Sequence, residues 1–154
     1  MNIKNINNKP TLIIGWKIRD ISSNLDLIIY QNNKLMSILD DKNLYFGKID
    51  VLDFNNDGNF ELVLWTHDTG LAYEVNIYEV LNNKLTKISL YNQIYYPKVL
   101  EYYDDLVSKY PNSPTYLYYL SKAQCILGMD ISNATNKMLK LPYPYPPINK
   151  DTCN

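Results

Sequence analysis

Apolar residues along this chain follow two rhythms, and the change between them falls near Tyr95. Before it they come in short runs bounded by Asn-rich polar segments: LIIGW from Leu12, LDLIIYQ from Leu25, LVLW from Leu62 and YEVNIYEV from Tyr73. Runs of this length, rich in β-branched and aromatic residues, predict strands. After it, Val99, Leu100, Tyr103, Leu106, Val107 and Tyr110 recur at helical spacing, with Glu101, Asp104 and Asp105 on the outward side.

The strand half repeats itself. LIIGW and LVLWT begin at Leu12 and Leu62, and NNKL begins at Asn32 and Asn82, so both offsets are 50 residues (62 minus 12, 82 minus 32). Each copy runs in one order: apolar strand, variable loop, a second strand, a tight Asn-Asn turn, then LMSIL or LTKIS. The alternation and the turn predict an antiparallel hairpin. LYFGKIDVL, residues 44–52, joins the copies and reads as one further strand, giving three or four strands per unit.

In the second half the spacing predicts a helix from Pro97 that ends at Tyr110-Pro111-Asn112. Ser113 and Pro114 supply an N-cap and a first-turn proline for the next. Leu117, Leu120, Gln124 and Leu127 line one face of that helix, and Gly128 is placed for a left-handed cap. Ser132 is expected to cap a third, short helix carrying Ala134, Met138 and Leu141. The tail PYPYPPINKDTCN cannot be helical and is expected to be extended or loose. The fold class expected is α+β, with antiparallel β units over residues 1–92, a helical hairpin region over 93–141 and a Pro/Tyr-rich tail over 142–154.

Composition changes this picture little. A length of 154 residues suits one ordinary domain or two small units sharing a core. A net charge of -1 with 46% hydrophobic residues argues against a nucleic-acid surface and against disorder. The 15 tyrosines suit half-buried packing first and contact surfaces for protein or sugar second, with Tyr73, Tyr95 and Tyr96 as candidate surface contacts. Cys125 and Cys153 allow at most one bridge and have no metal-ligand spacing; Cys125, in an apolar helical stretch, is expected to be a free structural thiol. MNIKNINNKP has no apolar core for a signal peptide, and no run approaches membrane-spanning length, so no membrane insertion is expected.

The candidate chemistry lies in DFNNDGNFEL, residues 53–62. Calcium takes six to eight oxygens, which a short loop supplies when alternate side chains turn inward. The inward set would be Asp53, Asn55, Asp57, Asn59 through its carbonyl, and Glu61, with Gly58 allowing the reversal. An EF-hand is rejected, because its twelfth position is Leu64 within an apolar strand. A metal-free turn built on Asn-Asn-Asp-Gly stays open as the alternative.

DFNNDGNFELVLW resembles the loop of FG-GAP and VCBS-type propeller repeats, in which D-x-N/D-x-D-G-x-x-D/E precedes a blade strand. The resemblance covers about residues 5–90. It implies two propeller-blade-like units, and calcium ligands at Asp53, Asn55, Asp57, Asn59 and Glu61. In the first copy the equivalent stretch is NINNKPTL, with Asn5 and Asn7 opposite Asn55 and Asp57 but Ile3 and Thr11 in place of the outer acids; that loop has lost the pattern. The Asp53 loop is expected to lie between the two blade-like units. Propellers close with at least four blades, so two units imply a piece of a longer chain, or sheets capped by the helical region or by another subunit. A start at Met1, almost inside a repeat loop, favours the first. KVLEYYDDLVSKYPNSPTYLYYLSKAQCILG, in turn, is similar to part of a tetratricopeptide repeat. Pro111 and Gly128 have the family's separation of 17 residues, and Leu117 and Leu120 fill its apolar positions. Ala134 stands one place late and no full 34-residue unit repeats; the implication is peptide binding on a helical groove, against a plain helical cap over the sheet.

Catalytic motifs are sparse. Asp68-Thr69-Gly70 after an apolar strand resembles the active-site triplet of retroviral-type aspartic proteases, with Ile126-Leu127-Gly128 as the later motif. That enzyme needs a flap glycine and strands where this chain predicts helices. His67 is the only histidine, and Asp40-Asp41 and Asp104-Asp105 are adjacent pairs whose side chains diverge. The expected function is a non-catalytic, calcium-stabilised binding or interaction module in protein-protein or cell-surface recognition. Its partner would be a protein or peptide, or alternatively carbohydrate, but no nucleic acid; a homo-oligomer is open. The compartment is extracytoplasmic if the chain is part of a longer secreted one, otherwise cytoplasmic. The alternatives are a small aspartic-protease-like hydrolase acting through Asp68, or a structural fragment of a larger propeller protein.

Overall fold

A computed structural model describes residues 2–39, 44–149 and 153; Asp40-Asp41 lies outside the described residues. The chain divides into two compact units, residues 1–88 and 89–154. The first is all β and the second is helical, so the fold is α+β.

The first unit holds two antiparallel sheets. In the first sheet, β1 (Asn2–Ile6), β2 (Lys9–Arg19), β3 (Ser22–Gln31) and β4 (Lys34–Ser37) lie side by side in chain order. The second repeats that meander with β6 (Lys48–Leu52), β7 (Glu61–His67), β8 (Tyr73–Leu81) and β9 (Lys84–Ile88). LYFGKIDVL is therefore two strands rather than one: β5 (Tyr45–Phe46) pairs with β3, and after Gly47 the chain enters the other sheet as β6. Gly47 marks the change because a Cβ there would stand 2.7 Å from the Tyr73 ring and 3.0 Å from the Ile21 carbonyl oxygen.

Asparagine builds the turns. Asn7-Asn8, Asn32-Asn33 and Asn82-Asn83 all have φ between 50° and 62°, the left-handed pair that a two-residue hairpin needs and that asparagine tolerates best after glycine. Registers then match across the copies: Leu12 faces Ile28 as Leu62 faces Tyr78, and Tyr30 faces Leu35 as Val80 faces Leu85. The sheets share one core, in which Ile6, Ile13, Leu25, Leu27 and Phe46 meet Leu62, Leu64 and Val80. β7 is buried from Glu61 to Trp65 without alternation, which explains why it reads as a continuous apolar run.

The helical unit contains α1 (Asn92–Lys109), α2 (Pro114–Ile126) and α3 (Ser132–Leu139). α1 starts five residues before the expected Pro97, which sits inside it. The amides of Ile94 and Tyr95 bond the Tyr91 carbonyl at 3.0 Å, and Pro97 costs only the one bond it would have given Gln93. Val99, Tyr103 and Leu106 are buried on α1 as the spacing predicts, but Tyr95 and Tyr96 are buried with them, so neither is a surface contact. Burial on the same helix face as Val99 and Tyr103 is the reason. Ser113 caps α2 by accepting from the Tyr116 amide at 3.3 Å. Gly128, at φ 71°, closes α2: its amide donates to the Cys125 carbonyl and the Met129 amide to Gln124. The N-cap of α3 is Ile131 rather than Ser132 and makes no side-chain cap bond; just before it, the Asp130 carboxylate accepts from the Ser132 amide at 3.0 Å and hydroxyl at 2.7 Å. The cysteines also depart from expectation. Cys125 is not free but bonded to Cys153, and Tyr145 stacks on Tyr118 at 4.7 Å, so the tail is tied to α2.

Candidate functional site

β6 and β7 separate after the pair Leu52 and Glu61, and residues 53–60 bridge them. The loop thus lies inside the second sheet, not between the two β units. Its counterpart in the first copy is the β1–β2 turn. Matching the pairs Ile3 with Leu12 and Val51 with Leu62 shows that β6 is offset from β1 by 48 residues, not 50. Asn5 and Asn7 are therefore not the counterparts of Asn55 and Asp57, and NINNKPTL is a two-residue hairpin rather than an eroded metal loop. The signal that identifies it is its Asn-Asn dipeptide, the same that builds the two NNKL turns.

Within the loop the side-chain oxygens turn inward. Asp53 accepts from the Asp57 amide at 3.1 Å and the Gly58 amide at 2.9 Å. Asn55 Oδ1 accepts from the Asp57 amide at 3.1 Å while its Nδ2 donates to Asp57 at 2.9 Å, and Asp57 accepts from the Asn59 amide at 2.7 Å. Glu61 closes the ring by accepting from the Phe54 amide at 3.3 Å. Asn56 and Gly58, at φ 58° and 84°, supply the two left-handed residues this winding needs.

The two ends of this acid series sit in different surroundings. Asp57 is exposed, and the Asn59 amide followed by the Asn55 side chain holds its carboxyl below the usual range. Glu61 is 8% exposed, and burial, with Asp57 and Asp53 adding to it, pushes its carboxyl up against the bond from Phe54. Among the described residues no three histidine, cysteine or acidic side chains are gathered closely enough to hold a metal ion. The loop's amides hold the carboxylates of Asp53 and Asp57 instead. In kind, however, the donors are all oxygens, three of them carboxylates, which fits a hard cation.

A second contact fixes the loop from outside, and the sequence reading missed it. The β1–β2 turn docks on it: the Asn8 amide donates to Asn59 Oδ1 at 2.6 Å, the Phe60 amide to the Asn5 carbonyl at 2.9 Å, and Asn7 Nδ2 to the Val80 carbonyl at 2.6 Å. Lys4 lies over the Phe60 ring at 4.4 Å. The Asn59 side-chain oxygen is therefore taken by the first repeat, while its amide is bound to Asp57 within the loop.

Asp68-Thr69-Gly70 forms the β7–β8 turn, where the Asp68 amide donates to Ala72 at 3.0 Å and the Ala72 amide to Thr69 at 2.8 Å. Ile126-Leu127-Gly128 is the end of α2. His67 sets Nε2 3.0 Å from the Gly70 carbonyl and meets the half-buried Tyr73 edge-on. Among the described residues no helix is long and apolar enough to cross a membrane. No known family model, curated protein sequence or solved structure matches the chain.

Proposed function

We propose that this chain is a non-catalytic binding module built on two tandem β repeats, with calcium stabilising the 53–61 loop of the second. One observation carries the reading: Asp53, Asn55 and Asp57 turn their oxygens into one loop that a buried Glu61 closes. Burial raises the Glu61 carboxyl first, and repulsion from the Asp57 and Asp53 charges adds to it. A divalent cation relieves that repulsion and offsets the burial of Glu61. Asp53, Asn55, Asp57 and Glu61, with the Asn59 carbonyl, would hold it, in keeping with the FG-GAP and VCBS resemblance. The helical unit, similar to part of a tetratricopeptide repeat, would offer a protein or peptide contact. The Cys125–Cys153 disulfide suits an oxidising compartment and so favours an extracytoplasmic setting.

Thermal unfolding in calcium and in EDTA tests this. At ten times its dissociation constant a ligand adds about 1.4 kcal/mol, which for a β unit of this size raises Tm by about 6–10 °C. Identical melts in both buffers would remove calcium from the account.

A further inference from the structure

The repeat exposes in one copy what it buries in the other. Val51, Leu62, Leu64, Tyr78, Val80 and Leu85 of the second sheet lie within or against the core shared with the first. Strand register carries these positions onto Ile3, Leu12, Ile14, Ile28, Tyr30 and Leu35 of the first sheet. All six are apolar and none is buried. Ile3, Tyr30 and Leu35 are 67%, 68% and 70% exposed, and Trp16, on the same face of β2, is 56% exposed. A solvated sheet face alternates apolar inside with polar outside; this sheet is apolar on both.

These side chains expose on the order of 600 Å², the upper end of what monomers leave open and approaching one partner's share of a standard interface. One charge among them, Asp26, is bound by the Ser37 hydroxyl at 2.6 Å. A face so nearly uncharged can meet its own copy with little like-charge opposition. The packing also has a precedent within the molecule, since a face of this pattern is already buried by a sheet of this same chain.

We propose that the Trp16, Tyr30 and Leu35 face is a two-fold interface on which a second copy of this chain seats the same face, making an aligned sheet-on-sheet sandwich. This deepens the reading above by naming the partner; it rests on the tandem repeat and not on calcium.

Light scattering after size separation, run in EDTA, tests it. The expected species is a dimer of about 36 kDa, twice 18.0 kDa. Trp16→Lys with Leu35→Lys should give a monomer with unchanged circular dichroism, while Leu90→Lys, at an exposed leucine of the helical unit, should leave the dimer intact. A monomer at all concentrations up to ~100 μM, an open-ended assembly, or a dimer that survives the double substitution would overturn the proposal. A monomer whose Tm still rises with calcium would overturn this interface alone, and a dimer indifferent to calcium would overturn the loop reading alone.

Discussion

Thr11 and Glu61 occupy the same position in the two repeats, each one residue before the leucine that opens the matched apolar run, and both are buried. Thr11 satisfies itself locally, its hydroxyl donating to the Lys9 carbonyl at 3.0 Å. Glu61 brings a carboxylate to that place. Burial, then Asp57 and Asp53, raise its pKa, so the folded chain holds the proton more tightly than the unfolded chain, where glutamate titrates near ~4.3. The resulting stability is full below the unfolded pKa and is lost as pH rises through the folded one. In EDTA at about pH 7, Glu61→Gln should therefore raise Tm, with the gain fading as pH falls through the folded value and gone well below the unfolded one, where both chains are neutral at this site. Melts across that range check the sign, and a lower Tm at neutral pH would count against it.

Asp57 runs the other way. Its carboxyl is held low by the Asn59 amide and then by Asn55, so its contribution is present above the unfolded pKa and lost as pH falls through the folded one. Asp57→Asn should speed amide exchange at Asn59, whose hydrogen bond is the principal one it weakens, and leave the exchange of β8 unchanged. Hydrogen exchange read residue by residue checks this.

Gly47 is where the chain leaves the first sheet for the second, with its amide bonded to the Trp65 carbonyl at 2.8 Å. Gly47→Ala drives a Cβ against the Ile21 carbonyl and the Tyr73 ring. The expected cost is about 1–3 kcal/mol, measured by urea unfolding. Tyr73→Ala in the same background should return part of it, because the ring is the nearer obstacle.

The bond between Cys125 and Cys153 spans a sequence separation of 28. Closing a loop of that length is worth about 3–4 kcal/mol. Reduction or Cys153→Ser should lower the unfolding temperature of the helical unit by a matching amount, and the intact mass of the unreduced chain should be about 2 Da below its thiol form. Free thiols in the folded, unreduced protein would exclude the bridge.

The strands and helices were legible because their signals are local. The LIIGW and LVLWT runs mark strands, Ser113-Pro114 marks a helix start and Gly128 marks a helix end, each by chemistry within a few residues. What escaped depends on partners far along the chain. The burial of Tyr95 and Tyr96 needs a helix that begins before Pro97, and the pairing of Cys125 needs a tail folded back on α2. The site was half legible in the same sense. The inward winding of Asp53, Asn55 and Asp57 follows from their alternation, but the Asn59 side chain is claimed by Asn8, 51 residues earlier, through a turn whose Asn-Asn signal was read in the wrong register. The exposed face of the first sheet was hidden for a different reason: apolar positions at Ile3, Tyr30 and Leu35 look like core until both sheets are in place.

The most direct test of the account is a calcium titration of the amide spectrum in solution. The amides of Asp57, Gly58 and Asn59 donate to the carboxylates of Asp53 and Asp57, so cation binding must move them first. The predicted result is a saturable shift of these three signals with a dissociation constant of about 0.1–1 mM, abolished by Asp53→Asn with Glu61→Gln. Amide positions through residues 53–61 that stay fixed up to ~10 mM calcium would contradict it.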